Sequence, residues 1–215
     1  MIQALALDTS TELCTVAVGV DKRIYQSSKM LSRRHNDEIL PMIQDIVQTN
    51  SVSMSELSHI VYINGPGSFT GLRIASSVAK GLAMSLDIPI IALSSLQVMA
   101  MHMYNIGVKK CRCVLSSHAN VVYLADYVLK DGLPVLISEI KILSLENLDI
   151  FTDEGVLVNL NKQASTLLEQ PTSHNIHYVY PKASDMLLIA RKQHNLLATN
   201  YLHDSMNYVN DYLIS

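Results

Sequence analysis

An α/β fold built on a mixed sheet is what this sequence predicts, and three observations carry that reading. Short β-branched runs, among them Leu13 to Val20 and Ile60 to Ile63, alternate along the chain with stretches of helical apolar spacing. The run from His59 to Ile63 ends in Asn64-Gly65-Pro66-Gly67-Ser68-Phe69-Thr70-Gly71, a glycine-rich turn that opens directly into a helix. A hydrophobic fraction of 49% over 215 residues leaves room for one large domain or two small lobes with a proper core.

The elements follow in order. Ile2 to Leu7 reads as a strand ending in the oxygen-rich turn Asp8-Thr9-Ser10-Thr11. Leu13 to Val20 is its return partner, and Asp21-Lys22 turns the chain into a third antiparallel strand, Arg23 to Lys29. A helix follows from about Asn36, with Ile39, Leu40, Ile43, Ile46 and Val47 on one face. Asn36 and Asp37 are placed to cap its positive end, and Pro41 is tolerated near its first turn. After the strand at 60–63 comes the helix from about Leu72 to Leu86, then a strand over Ile88 to Leu93 that enters a helix at Ser94 or Ser95.

The resulting order, β-β-β-α-β-α-β-α, implies a right-handed crossover and is the ribonuclease-H-like order of the actin, hexokinase and Hsp70 half-domains. Residues 1–105 form this first lobe. From 106 to 215 the pattern partly restarts as a smaller, divergent second lobe. Its strands are Cys111 to Leu115, Val121 to Leu129, Val135 to Ile142, Gly155 to Asn159 and His177 to Val179. Asp131-Gly132 makes the hairpin turn, and helices fall near Gln163 to Glu169 and over Ser184 to Leu197.

A net charge of −3 argues against a chain that grips nucleic acid unaided, because binding a phosphate backbone needs a basic face. Arg33-Arg34-His35 and Lys109-Lys110-Cys111-Arg112 read as solvated turns. Cys14, Cys111 and Cys113 are odd in number and fit neither a disulfide framework nor a four-ligand zinc site, so reduced thiols in a cytoplasmic protein are expected. The first eight residues lack a basic region and carry Asp8, unlike a signal peptide, and no apolar run approaches the roughly 18 residues that span a bilayer.

Candidate chemistry is sparse. The turn at Gly65, Gly67, Ser68 and Thr70 either cradles a phosphate or is a tight strand-to-helix turn; it lacks the lysine of a Walker loop, and Ser68 or Thr70 suits the helix N-cap. Asp8 is either a phosphate-hairpin carboxylate or a turn cap acting through Thr9 to Thr11. His174 and His177 have no nearby cysteine or acidic partner, Cys111 and Cys113 share a strand face as core residues, and no Ser-His-Asp or Cys-His set assembles from spacing. Along the helix after the turn, Gly71, Ala75, Ala79 and Ala83 stack into a smooth stripe beside the bulky Ile74, Val78, Leu82 and Leu86, and Arg73 and Lys80 are its two charges. So little charge implies a helix buried in its own domain or covered by a partner.

Asp8-Thr9-Ser10-Thr11-Glu12, Arg34-His35 with Ile39-Leu40-Pro41, Asn64 through Arg73, and Pro89 to Leu93 with Ser94-Ser95-Leu96 together resemble the TsaB (YeaZ) family of bacterial proteins. The resemblance covers about residues 1–105. It departs at Ser116-Ser117-His118, where relatives commonly carry Asp-Ala-Arg, at Asn64, where arginine is frequent, and around Tyr201-Leu202-His203. It implies a non-catalytic subunit in the formation of threonylcarbamoyladenosine at adenosine 37 of tRNAs that read codons beginning with A. Such a chain pairs with a TsaD-like catalytic subunit, helps recruit a TsaE-like ATPase and meets tRNA only within the complex. No cofactor is expected on this chain, with ATP and a metal on the partner subunits; Ser95 and Met99 stand where TsaD-like relatives place a metal-binding histidine pair. The implied pairing surface is the helix near 36–48 with the helix at 72–86, contributed by His35, Ile39, Ile43, Gly71, Ala75, Ser76, Ala79 and Ala83. The alternatives are a homodimer through the same helices and an ATP-dependent transferase using Asp8 and the glycine turn. A peptidase label attached to the wider family finds no support in these residues.

Overall fold

The computed structural model describes residues 2–116, 120–147, 155–159 and 176–201, and it is mixed α/β. Two compact units divide the chain: residues 1–95 with 182–215, and residues 96–181.

In the first unit, strands β1 (Ala4–Asp8), β2 (Leu13–Val20) and β3 (Arg23–Met30) form an antiparallel meander. Helix α1 (His35–Thr49) leads to β4 (His59–Gly65), helix α2 (Phe69–Leu86) to β5 (Ile90–Ser94). Strands β4 and β5 run parallel to β1, and the sheet order is β12-β5-β4-β1-β2-β3, with β12 (Ala198–Thr199) antiparallel at the edge. Alternation along the strands sets the two faces. Leu5, Leu7, Val16, Val18, Ile60 and Tyr62 form one core with Ile39 and Ile43 of α1 and Ala75, Ala79 and Ala83 of α2. Strand β1, buried on both sides, also carries Ala4 and Ala6 on the opposite face.

Helix α4 (Ala183–Leu197) packs against β1 to β5. Small residues let it approach: a Cβ at Gly19 would lie 3.0 Å from Arg191 Nη2 and 3.3 Å from Leu187. Its first N–H donates to Thr15 Oγ1 and its second to Gln26 Oε1. A second lobe running unbroken to residue 215 therefore differs from what is observed, because α4 and β12 belong with the first sheet. An amphipathic pattern specifies a buried face without saying which sheet buries it.

The second unit carries most of α3 (Ser95–Asn105) and a sheet ordered β11-β10-β6-β7-β8. Its strands are β6 (Lys110–Ser116), β7 (Val121–Lys130), β8 (Leu133–Leu136), β9 (Lys141–Ser144), β10 (Gly155–Asn159) and β11 (Ile176–Tyr178). Read from β8 inward, this repeats the first sheet's succession of three antiparallel strands followed by two parallel ones. The expected single strand over 135–142 is instead two, and both pair with β7. The break falls where Ser138 Oγ accepts from Asp126 N and donates to Glu139 O. Arg112 and Asp126, directly opposite in register, close a two-pronged ion pair at 2.8 and 3.0 Å. The helix expected near 163–169, His174, Ser117-His118 and Leu202-His203 lie outside the described residues.

Candidate functional site: the glycine turn and the outer face of two helices

The turn after β1 and the turn after β4 are bonded to each other. Thr9 Oγ1 donates to Gly71 O at 2.6 Å, Ser68 N donates to Ser10 O at 2.8 Å, and Ser95 Oγ donates to Pro66 O at 2.5 Å. Ser68 is the N-cap of α2, its hydroxyl accepting from Gly71 N at 3.3 Å. The glycines serve this approach. A Cβ on Gly67 would stand 2.7 Å from Ser10 O, and one on Gly71 would collide with Thr9 O. Two N–H groups that a phosphate loop would aim at an anion, those of Ser68 and Gly71, are thus bonded within the protein.

Asp8 ends β1 with no exposure to solvent. Its Oδ1 accepts from Ser10 N at 2.8 Å, while its Oδ2 has no hydrogen-bond partner among the described residues. Burial pushes its pKa up to about 7, against the smaller opposing effect of hydrogen bonds from Ser10 and Thr9. The Cys14 thiol is pushed up to about 12, chiefly by burial and further by the charges of Asp8 and Glu38, and so is inert. Cys111 and Cys113 lie with sulfurs 3.9 Å apart in the core of the second unit, and burial raises the Cys113 thiol as well. Among the described residues no three His, Cys, Asp or Glu side chains group into a metal site.

Helix α1 begins at His35, one residue earlier than expected. Its N-cap is Arg34, in a left-handed conformation with no side-chain cap bond, and Asp37 pairs with the Arg34 guanidinium at 3.1 Å in place of capping. His35 is half-buried, its Nε2 2.9 Å from Thr11 O, which ties α1 to the same β1–β2 turn that holds α2.

The residues expected on the pairing surface are mostly inside. Ile39, Ala75, Ala79 and Ala83 have no exposure, and Gly71, Ser76 and Ile43 are also buried. The smooth stripe of α2 thus faces its own sheet, with Ala75, Ala79 and Ala83 in one core with Tyr62. A groove-free stripe of small residues suits close packing on a sheet as well as on a second helix, so spacing left this open.

A different set of residues faces outward. Between α1 and α2 lies a groove of about 400 Å³ lined by Asn36, Phe69, Thr70, Arg73, Ile74 and Ser77, among others, with the buried Ile39 at its floor. Phe69, at 54% exposure, carries the Arg73 guanidinium 3.8 Å over its ring, and Leu40 and Met84 are exposed at 53% and 68%. The one signal for this face in the sequence is the succession Phe69, Arg73, Ser77, Met84, which winds along the side opposite the alanines.

A family model described as TsaD, tRNA N6-adenosine threonylcarbamoyltransferase, matches residues 25–184. The chain is 36% identical over 127 residues to the tRNA threonylcarbamoyladenosine biosynthesis protein TsaB of Escherichia coli, covering 59% of this chain and 55% of that protein. It therefore spans little more than half the length of that relative in the match. YeaZ from Pseudomonas aeruginosa superposes with a TM-score of 0.84 at 27% identity, over 94% of this chain and 97% of that one. A second Pseudomonas aeruginosa structure, described as an uncharacterized protein with similarity to peptidase YEAZ, superposes with a TM-score of 0.86 at 27% identity, over 98% and 100%.

Proposed function

Because the chain belongs to the TsaB (YeaZ) family, itself related to TsaD, we propose that it is a non-catalytic subunit in the formation of threonylcarbamoyladenosine in tRNA. On this reading it binds a TsaD-like catalytic subunit through the outer faces of α1 and α2, helps recruit a TsaE-like ATPase, and meets tRNA only in the assembly. It lacks a cofactor of its own.

The observation that carries the reading is the outward groove. Phe69, Leu40 and Met84 leave large apolar side chains in water on two adjacent helices, an arrangement that a covering partner would relieve. The internally bonded glycine turn supports the same assignment, because it leaves Ser68 N and Gly71 N unavailable to nucleotide phosphates. Ser95, where a metal ligand stands in TsaD-like relatives, spends its hydroxyl on Pro66 O, and Met99 is fully buried.

One observation favours the alternative of an ATP-dependent transferase: Asp8, a buried acid with one oxygen unbonded at the carboxyl end of a parallel strand. Two measurements separate the readings. Co-expression with the host's TsaD-like protein, followed by size-exclusion and an assay for the modified base, should give a complex that Phe69→Asp disperses while leaving the free chain folded. Co-elution unchanged in that variant removes the groove as the pairing surface. Calorimetric titration of the isolated chain with ATP should show no binding, and micromolar affinity would support the transferase.

A further inference from the structure

Three consecutive residues between β1 and β2 each hold the start of a helix. Thr9 Oγ1 donates to Gly71 O at 2.6 Å, and Ser10 O accepts from Ser68 N at 2.8 Å, both where α2 begins. Thr11 O lies 2.9 Å from Nε2 of His35, the first residue of α1. A carbonyl can only accept, so that ring nitrogen carries the proton and donates. The turn is closed on itself by Asp8 Oδ1, which accepts from Ser10 N at 2.8 Å, and by Thr11 Oγ1, which accepts from Leu13 N at 3.2 Å. Its next carbonyl, Glu12 O, accepts from Leu31 N at 2.8 Å and so also holds the segment that leads into α1.

Consecutive Cα atoms lie about 3.8 Å apart, so those of Thr9 and Thr11 are separated by no more than about 7.6 Å. Two helices that start more than thirty residues apart in the chain are therefore referred to one short, internally bonded piece of backbone. The groove opens beside these bonds. Its lining includes Asn36, which follows His35, and Phe69 and Thr70, which lie between Ser68 and Gly71. Thr9 has no exposure and so touches no partner itself. We infer that the turn at 9–12 sets the separation of α1 and α2 at the head of the groove, with Thr9 and His35 as positioning residues for the surface that a partner covers. The consequence for pairing rests on the reading of that groove as the pairing surface, whereas the separation of the helices is measurable without the partner. Docking surfaces of this kind ordinarily shift by about 1 Å or less on binding, so a displaced helix start costs affinity.

Nitroxide labels at Asn36→Cys and Ser77→Cys, both exposed, report that separation in the free full chain by pulsed electron double resonance, since the three native cysteines are buried. Thr9→Val and His35→Leu, which remove the donors, should shift or broaden the distance distribution, and Thr9→Ser and His35→Gln, which keep a donor, should restore it. The same four substitutions in unlabelled chains are then titrated with the host's TsaD-like protein. Thr9→Val and His35→Leu should each weaken pairing about tenfold, and Thr9→Ser and His35→Gln should stay within about twofold of the native chain. Ile91→Val, a core change on the opposite face of the sheet, should lower Tm and leave both the distances and the pairing as they were. Distances unchanged in both donor-less variants, or an equal loss of pairing in Ile91→Val, would overturn the inference. Displaced helices with pairing intact would leave the turn's hold on the helices standing and overturn the groove as the pairing surface.

Discussion

The two faces of α2 differ in everything except their poverty in charge. The inner face is Gly71, Ala75, Ala79 and Ala83, pressed on β1 and β4, and the outer is Phe69, Arg73, Ser77 and Met84, open to solvent beside α1. The inner face secures the fold by shape, since each small residue admits backbone or an aromatic ring that a larger side chain would displace. The outer face lies outside that core and, on the proposed reading, is the surface that a partner covers. A weakly charged helix therefore carries two separate messages, and substitutions on opposite sides should fail in different assays.

The sharpest break comes from Ala79→Arg. Residue 79 has no exposure, so the variant should yield no stable fold, and loss of pairing in it would say nothing about the interface. Circular dichroism of the purified chain checks this, and a native-like melt would show that the alanine stripe is not the packed side. Gly71→Ala comes next, with an expected cost of about 3 kcal/mol or more in urea unfolding, because the new methyl collides with Thr9 O.

Asp8 sharpens the comparison by pH. Its folded pKa, about 7, lies above the ordinary 3.8, so the fold retains a proton that the unfolded chain gives up. The stability this confers is complete below about pH 4, fades as pH rises and is gone above 7, a fall of about 2–3 kcal/mol between pH 5 and pH 8. Asp8→Asn should flatten that slope in denaturant melts at the two pH values, and an unchanged slope would assign the titration to other groups. The smallest effect on stability belongs to the outer face. Phe69→Asp should shift the free chain by no more than about 0.5 kcal/mol while dispersing the complex with a TsaD-like subunit, and a large stability loss would place Phe69 within the fold's own packing.

Much of the first unit was legible beforehand. Strand β2 begins and ends where the sequence pattern puts it, as does β10 in the second unit, and the helix-starting serine of α2 is one of the two candidates for that role. These are local matters, settled by periodicity and cap chemistry within a few residues. The errors have a common origin. The strand expected over 135–142 is broken by Ser138 reaching Asp126 N, twelve positions away, and α4, expected in the second lobe, packs on the first sheet although its extent matches the expectation within one residue. At the candidate site, the close approach of the glycine turn was visible as glycine, while its partners Thr9 and Ser10 were visible as a polar turn; that the two turns bond to each other was not.

Taken alone, the sequence determined the element types, the three-antiparallel-then-parallel order, the family resemblance and the presence of a helix too poor in charge to stand fully in water. Only tertiary structure decided which side of that helix is covered and which sheet receives α4. The physical reason is that periodicity records how many faces of an element are apolar, whereas the identity of the surface packed on each face depends on contacts between residues distant in the chain.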